Sequence, residues 1–265
     1  MRVRVNDIMV GYSDEGAHGA PTVIFVHGFP FNRSMWKSQM EALSEGWRVV
    51  ACDIRGHGES DIGKKPFSIG LFAEDLIGLM DVLGIDKAVL CGLSMGGYIA
   101  LNAALSHPGR FDALVLSDTQ CAADSPEGKE KRSDAIEAIR KNGVKWYADT
   151  SLKNFFTPGS LKREGAEITV VREMIAATAE ETLVRTLRAL REREESCSRL
   201  QEIAVPVLVL VGEEDSITPP EAARLMQEKI EGCRLSVIAQ AGHLSNIENP
   251  DIFNKELKNF VDSLR

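Results

Sequence analysis

Gly92, Ser94 and Gly96 form a G-x-S-x-G motif, in which a serine stands between two glycines at fixed spacing. An apolar run, Ala88–Cys91, precedes the motif, and a helix-like stretch, Tyr98–Leu105, follows it. A serine on a sharp turn between a strand and a helix exposes its Oγ to a base and a substrate. The glycines are needed because so tight a turn leaves no room for a Cβ atom. The motif predicts that Ser94 is a nucleophile rather than an inert loop serine.

A serine needs a base before it can attack a carbonyl carbon at neutral pH. The chain has five histidines, namely His18, His27, His57, His107 and His243. Turn, strand-end or helix-end positions account for the first four. His243 lies in a loop after the last apolar run, at the same edge of a parallel sheet as Ser94. We therefore predict that His243 is the general base.

Asp215 is predicted to be the carboxylate that orients the imidazole and stabilises the imidazolium. It follows an apolar run together with Glu213 and Glu214, and the turn residues after it leave it at the tip of the loop. The resulting order of serine, acid and histidine is the one found in enzymes with this kind of serine turn. Asp118 also follows a strand and is the alternative acid, although a turn or capping role would equally account for it.

Two backbone N–H groups are predicted to stabilise the oxyanion that forms during such an attack. One belongs to Met95, the residue after the nucleophile, and the other to the loop His27–Pro30. Proline has no N–H, so Phe29 is the expected donor in that loop. Gly28 allows a close backbone approach, and we expect His27 to brace the loop by hydrogen bonding.

Short apolar runs with helical patterns between them predict the framework that positions these residues. The runs are Thr22–Val26, Arg48–Cys52, Ala88–Cys91, Ala113–Ser117, Val207–Val211 and Arg234–Ile238. Strands that alternate with helices, such as the pattern at Ile69–Leu83, indicate a parallel sheet with helices on both faces. Val3–Val5 and Ile8–Tyr12 fit an antiparallel hairpin that opens the sheet.

The alternation stops between Cys121 and Glu202, where the sequence is charged and helix-rich. This segment is far longer than an ordinary connection, so we expect a helical insertion over the carboxyl ends of the strands, where ligands bind. Its clearest helical patterns are 129–141, 167–178 and 180–195. We expect a core of residues 1–120 and 203–265 and a cap of residues 121–202. Four apolar cap residues are candidates for the substrate pocket, although each would also fit the core of the cap: Trp146, Phe155, Phe156 and Met174.

Composition and charge limit the function classes. Of the 265 residues, 44% are hydrophobic and 26% charged, which is ordinary for a globular protein. The net charge of −8 argues against nucleic acid as a general partner, and no apolar run is long enough to span a bilayer. The alternating, charged N-terminus indicates an edge strand rather than a signal peptide.

The five cysteines are odd in number and show no C-x-x-C spacing, so neither a zinc site nor a disulfide framework is expected. Cys52 and Cys91 end apolar runs and are interpreted as small buried hydrophobic residues. This pattern predicts a reduced, cytoplasmic protein. The predicted chemistry requires no metal ion and no organic cofactor.

Taken together, these motifs resemble the α/β-hydrolase superfamily over the whole chain. The turn D-x-R-G-H-G-x-S at Asp53–Ser60, the segment G-L-S-M-G-G at Gly92–Gly97 and the ending G-H-L-S-N-I-E-N-P at Gly242–Pro250 are similar to one branch. That branch holds 3-oxoadipate enol-lactonases and related small carboxylesterases. The loop H-G-F-P at His27–Pro30 departs from it and looks like the loop of general esterases, since enol-lactonases more usually show an N-S-L-G type loop.

The resemblance implies an α/β-hydrolase fold, with a mostly parallel eight-stranded sheet, helices on both faces and an inserted helical cap. It also implies a triad of nucleophile Ser94, acid Asp215 and base His243. Haloalkane dehalogenases and epoxide hydrolases carry an aspartate at the position of Ser94, so the serine argues against both.

The leading hypothesis is a serine hydrolase that cleaves a small carboxylic ester or lactone through an acyl-enzyme. Small neutral esters are favoured over substrates with a carboxylate, because a buried charge would need a cation from the cap. The alternatives are a 3-oxoadipate enol-lactonase, a hydrolase of C–C bonds, acyl transfer or perhydrolysis, and a hydrolase-like ligand receptor. An enzyme turns over many equivalents of substrate, whereas a receptor stalls after one. The sequence leaves the oligomeric state open.

Overall fold

The computed structural model describes residues 1–265 and has one eight-stranded sheet at its centre. The strands are β1 (Arg2–Val5), β2 (Ile8–Glu15), β3 (Thr22–Val26), β4 (Arg48–Cys52), β5 (Ala88–Leu93), β6 (Phe111–Ser117), β7 (Val207–Gly212) and β8 (Arg234–Ile238). Their order across the sheet is β1-β2-β4-β3-β5-β6-β7-β8. β1 and β2 form an antiparallel hairpin, β2 runs antiparallel to β4, and all other neighbours are parallel. The mostly parallel eight-stranded sheet is therefore confirmed.

Eleven helices flank or cap the sheet. They are α1 (Lys37–Leu43), α2 (Ile69–Val82), α3 (Met95–Ser106), α4 (Pro126–Asn142), α5 (Val144–Phe155), α6 (Pro158–Arg163), α7 (Ala166–Ala176), α8 (Glu180–Arg191), α9 (Pro220–Lys229), α10 (Ser245–Glu248) and α11 (Pro250–Asp262). Short 3₁₀ turns occur at Arg33–Trp36, Pro108–Arg110 and Leu200–Glu202. None of these helices combines the length and the hydrophobicity needed to cross a membrane.

The central strands are buried on both faces, as their continuous apolar sequences require. In β3, Val23 and Phe25 belong to one hydrophobic cluster, and Ile24 and Val26 belong to the other. This division follows from the two-residue side-chain period of a strand. Residues of α2, α3 and α9 pack in the cluster that holds Ile24, while residues of α1 and α11 pack in the cluster that holds Val23. Helices therefore cover both faces of the sheet.

Helices α4 to α8 all lie between β6 and β7 in the sequence, within the segment predicted to form a cap. Three of them correspond to the predicted helical patterns, but α5 and α6 were not expected. The α5 sequence is rich in residues of low helix propensity, among them Trp146, Asp149 and Thr150. Its helical state is supported by tertiary packing instead, since Ala148 and Leu152 are buried against the hydrophobic cluster that also holds α7.

A disulfide joins Cys121 to Cys197, which corrects the expectation that all five cysteines are reduced. The two residues are 76 positions apart and lie at the two ends of the helical insertion. Sequence spacing carries no signal for a pair so distant in the chain. The cysteine pattern therefore no longer supports a cytoplasmic location. Cys52 and Cys91 are buried free thiols, as predicted.

Removing this disulfide is expected to lower the free energy of unfolding by about 2 to 4 kcal/mol, because a cross-link over a long loop restricts the unfolded chain. The double variant Cys121→Ser/Cys197→Ser tests this in urea unfolding without reductant. Cys233→Ser, at a half-buried free cysteine, is the matched control and should change stability by less than about 0.5 kcal/mol. An unchanged midpoint in the double variant would contradict the expectation.

Candidate active site

Ser94 occupies the turn between β5 and α3 in a strained backbone conformation. Its φ of 54° and ψ of −113° lie in a region that residues other than glycine rarely adopt. A Cβ atom at Gly92 would clash with the backbone of Gly96, and one at Gly96 would clash with the carbonyl of Val26. The two glycines of the motif therefore permit the close packing that directs the Ser94 side chain outward.

Three side chains from the carboxyl ends of β5, β7 and β8 form one hydrogen-bonded series. Ser94 Oγ lies 2.9 Å from His243 Nε2, and His243 Nδ1 lies 2.8 Å from Asp215 Oδ2. The side chains of His243 and Asp215 are 1% and 0% exposed, so water does not compete for these bonds. With the Nδ1 proton directed at Asp215, Nε2 is free to accept the proton of the serine.

The Asp215 carboxylate is held by its own loop. Its Oδ1 accepts hydrogen bonds from the N–H groups of Ile217 and Thr218 at 2.8 and 3.0 Å, and its Oδ2 accepts one from the Thr218 hydroxyl at 2.7 Å. Burial alone would raise the pKa of Asp215, but the neighbouring His243 and the Thr218 hydrogen bonds lower it below the usual value. Asp215 is therefore ionised at neutral pH. No motif in the sequence marks Thr218 for this contact.

Burial also opposes the charged form of His243, but the negative charge of Asp215 and its hydrogen bond outweigh that effect, with a smaller contribution from Asp118. The pKa of His243 is consequently raised above its ordinary value of 6.5. An imidazolium at this position is stabilised, as a general base requires once it has taken a proton. The ring of Phe155 stacks on the imidazole, with centroids 6.2 Å apart.

The two predicted oxyanion donors belong to segments next to Ser94. Met95 is the first residue of α3, so its N–H has no acceptor within the helix. The N–H of Phe29, in the loop after β3, has no acceptor in the protein. Gly28 places this loop against Ser94, since a Cβ added there would lie 3.2 Å from the Ser94 Cβ. Both N–H groups are therefore available to a bound oxyanion.

His27 braces the loop that carries Phe29. Its Nδ1 lies 2.8 Å from the carbonyl oxygen of Gly28, and its Nε2 accepts a hydrogen bond from the N–H of Ile54 at 2.9 Å. Burial lowers the pKa of His27 to about 4, so the ring is neutral and can both donate and accept. The predicted bracing role of His27 is confirmed.

A cavity of about 700 Å³ opens above the serine. Residues of both the sheet edge and the helical insertion line it, among them Phe29, Ser94, Met95, Tyr147, Phe155 and His243. Of the four predicted cap residues, only Phe155 lines this cavity. Trp146 is 42% exposed and does not line the cavity, whereas Phe156 and Met174 are buried in the hydrophobic cluster that also holds residues of α5 and α7. Tyr147 takes the place expected for Trp146, because consecutive helical residues point about 100° apart.

The acidic and basic side chains that line the cavity, apart from His243, come from α4 and the segment before it. Lys131, Arg132 and Asp124 line the cavity, and the Arg132 Nε lies 2.8 Å from the Asp124 carboxylate. Arg193 approaches the same carboxylate at 3.6 Å. No group of three or more His, Cys, Asp or Glu side chains is arranged to hold a metal ion.

Comparison with known proteins gives consistent matches along the chain. A family model described as the alpha/beta hydrolase fold matches residues 21–250. The 3-oxoadipate enol-lactonase 2 of Acinetobacter baylyi is 30% identical over 94% of this chain and 91% of its own length. A thermophilic esterase from Thermogutta terrifontis, solved with malate bound, superposes with a TM-score of 0.94 and 34% identity over 100% of this chain and 99% of that one.

The enol-lactonase of Burkholderia xenovorans LB400 is similar as well, with a TM-score of 0.92 and 31% identity over 99% of this chain and 100% of that one. These matches extend over the sheet and the helical insertion alike, and the family model covers most of the chain. The chain therefore belongs to the α/β-hydrolase family, in the branch that includes the 3-oxoadipate enol-lactonases.

Proposed function

We propose that the chain is a serine hydrolase that cleaves a small carboxylic ester or lactone through an acyl-enzyme. The observation that carries this proposal is the hydrogen-bonded series of Ser94, His243 and Asp215 at the base of the cavity. Esterases and enol-lactonases among its relatives support ester or lactone hydrolysis.

In the acylation step, Ser94 Oγ bonds to the carbonyl carbon of the substrate while its proton passes to His243 Nε2. The electron pair of the C=O π bond moves onto oxygen, and the N–H groups of Phe29 and Met95 donate hydrogen bonds to that oxyanion. Each such donor stabilises the transition state by about 3 kcal/mol. When the C=O bond re-forms, the C–O bond to the leaving oxygen breaks, and His243 returns the proton to that oxygen.

Deacylation repeats this chemistry with water. The oxygen of a water molecule attacks the acyl carbon while His243 takes a proton from that water. His243 then donates this proton to Ser94 Oγ as the bond between Oγ and the acyl carbon breaks and the acid is released. Asp215 remains ionised throughout and keeps the imidazole in one tautomer. In a lactone the leaving oxygen stays covalently attached to the acyl group, so the product is a single open-chain acid. The proton balance closes without a further cofactor.

The pH dependence of kcat/KM is expected to follow the protonation of His243. Only neutral imidazole accepts the serine proton, and the Asp215 charge raises the pKa of His243 above 6.5. Activity should therefore rise with pH, with an apparent pKa above 6.5, and stay low below it. Initial rates on a neutral ester between pH 5 and 9 measure this. A flat profile across that range would be inconsistent with a histidine base.

The cavity charges favour small neutral esters as substrates. Arg132 is already paired with Asp124, and the Lys131 side chain lies on an exposed part of the rim. The pairing compensates the charge of Arg132, which leaves no buried, unpaired cation for a substrate carboxylate.

An enol-lactone that bears a carboxylate is the second candidate, since Lys131 and Arg132 both line the cavity and a similar esterase binds malate. We expect kcat/KM for a short neutral ester to equal or exceed that for the enol-lactone of a keto-dicarboxylic acid. If the enol-lactone is preferred by a hundredfold, a difference of about 2.7 kcal/mol, the carboxylate-bearing substrate is the correct one. Arg132→Gln should then reduce only the enol-lactone rate.

Turnover distinguishes this proposal from the alternatives. A purified sample incubated with a large excess of short-chain ester should release many equivalents of acid per chain. Release of a single equivalent would favour a ligand receptor with the same fold. Activity on a dienoic ketone without activity on esters would favour C–C bond hydrolysis.

A further inference from the structure

We propose that Asp118 is a positioning residue that ties together the loops carrying the general base and the catalytic acid. The inference deepens the proposed function and rests on the roles given there to His243 and Asp215. Asp118 directly follows β6, and its side chain is completely buried. Its φ of 44° lies in the left-handed region, which is uncommon for residues other than glycine.

The Asp118 carboxylate accepts three hydrogen bonds. Its Oδ1 accepts one from the N–H of Gly212 at 2.8 Å, while its Oδ2 accepts one from the Ser245 hydroxyl at 2.5 Å and one from the Ser117 hydroxyl at 2.8 Å. Gly212 is the last residue of β7, three positions before Asp215. Ser245 comes two positions after His243. The Asp118 carboxylate therefore binds both the segment that carries Asp215 and the segment that carries His243.

Asp118 itself makes no hydrogen bond to Asp215 or His243, so it acts on them through these loops. The next residue, Thr119, donates its hydroxyl to the carbonyl oxygen of Ser94 at 2.8 Å. The end of β6 thus contacts the segments of all three proposed catalytic residues. A shift of either loop would lengthen the bonds between Ser94, His243 and Asp215, and a misplacement of about 1 Å can cost about 100-fold in rate.

The positioning role of Asp118 does not require its negative charge. Burial and the nearby negative charge of Asp215 raise the pKa of Asp118 to about 7, although His243 and the hydrogen bonds from Ser245 and Gly212 oppose the shift. Neutral and charged forms thus coexist near neutral pH. Asparagine resembles the neutral form, since its oxygen can still accept from Gly212 and its amide group can donate to the Ser245 oxygen.

Two buried serines that bind the same oxygen of Asp118 provide a matched test. Ser245→Ala removes the link to the base loop, whereas Ser117→Ala removes a hydroxyl of the strand next to Asp118. We expect Ser245→Ala to lower kcat by about 10-fold with KM unchanged, and Ser117→Ala to keep kcat within about twofold. Thermal unfolding of both variants checks that the two losses of stability are similar. Equal kcat values in the two variants would overturn the proposal.

Variants of Asp118 separate positioning from charge. Asp118→Ala should lower kcat by about 10- to 100-fold, while Asp118→Asn should restore most of the activity. The double variant Asp118→Ala/Ser245→Ala should be no slower than Asp118→Ala, because Ser245 acts through the carboxylate. An Asn variant as slow as the Ala variant would assign the effect to charge and refute positioning. If Asp118→Ala does not fold, the comparison of Ser245→Ala with Ser117→Ala still tests the positioning role.

A separate measurement tests the proposed function independently of the role of Asp118. Labelling of the wild-type chain by a serine-directed phosphonate tests whether Ser94 is the nucleophile at all. Labelling at Ser94 combined with equal rates in Ser245→Ala and Ser117→Ala would retain the hydrolase and reject the positioning role of Asp118.

Discussion

Replacing Ser94 by alanine is expected to lower kcat by about a million-fold while the chain stays folded. Ser94 Oγ is the atom that faces His243 Nε2 at 2.9 Å, so its removal leaves the base without a nucleophile to activate. The residual rate should come from oxyanion stabilisation and substrate binding alone. Initial rates on a short neutral ester, together with a thermal unfolding curve, measure both parts of the expectation.

Ser151→Ala is the matched control for this loss. Ser151 is also buried and lines the same cavity, but its hydroxyl bonds only to the carbonyl of Ala148 within its own helix. Its replacement should change kcat by less than about fivefold, as for a side chain outside the reacting series. A serine-directed phosphonate should add its mass to Ser94 in the wild type and not in Ser94→Ala. An adduct at another residue in an active sample would contradict the assignment of Ser94 as the nucleophile.

The sheet was predictable because its signals are local. Buried parallel strands are short apolar runs, and the observed bounds of β3, β4 and β8 coincide with the predicted ones. The places of Ser94, Asp215 and His243 followed from the same logic, since each lies in the segment after a strand and parallel strands end at one edge. Their proximity needed no side-chain detail.

The features that sequence reasoning missed depend on tertiary packing. The Cys121–Cys197 disulfide joins positions that are distant in the chain, and no spacing reveals it. Trp146 and Tyr147 are adjacent aromatic residues of one helix, and only the rotation of α5 on its neighbours decides that Tyr147 lines the cavity. In sequence, Asp118 is indistinguishable from an ordinary turn residue that follows a strand. Its connection to Gly212 and Ser245 appears only when three strand ends are assembled.

Replacing Asp215 by asparagine is expected to lower kcat by about ten-thousand-fold, which corresponds to about 5.5 kcal/mol in the barrier. The N–H groups of Ile217 and Thr218 both donate to Oδ1, so the asparagine oxygen must occupy that place. Its NH₂ group then faces His243 Nδ1 and donates to it. The imidazole proton consequently moves to Nε2, which can no longer accept the proton of Ser94.

Asp118→Asn is the matched control, because it makes the same chemical change in a second buried carboxylate at the same edge of the sheet. Asp118 has no hydrogen bond to His243, and an asparagine there can keep its contacts with Gly212 and Ser245. We expect its kcat to stay within about twofold of the wild type, because both loops then keep their positions. The decisive measurement is the ranking of the two variants on one ester, at a pH on the upper plateau of the wild-type profile. If Asp118→Asn loses far more activity than Asp215→Asn, then Asp118 is the acid and the hydrogen bond between Asp215 and His243 is not part of the catalytic series.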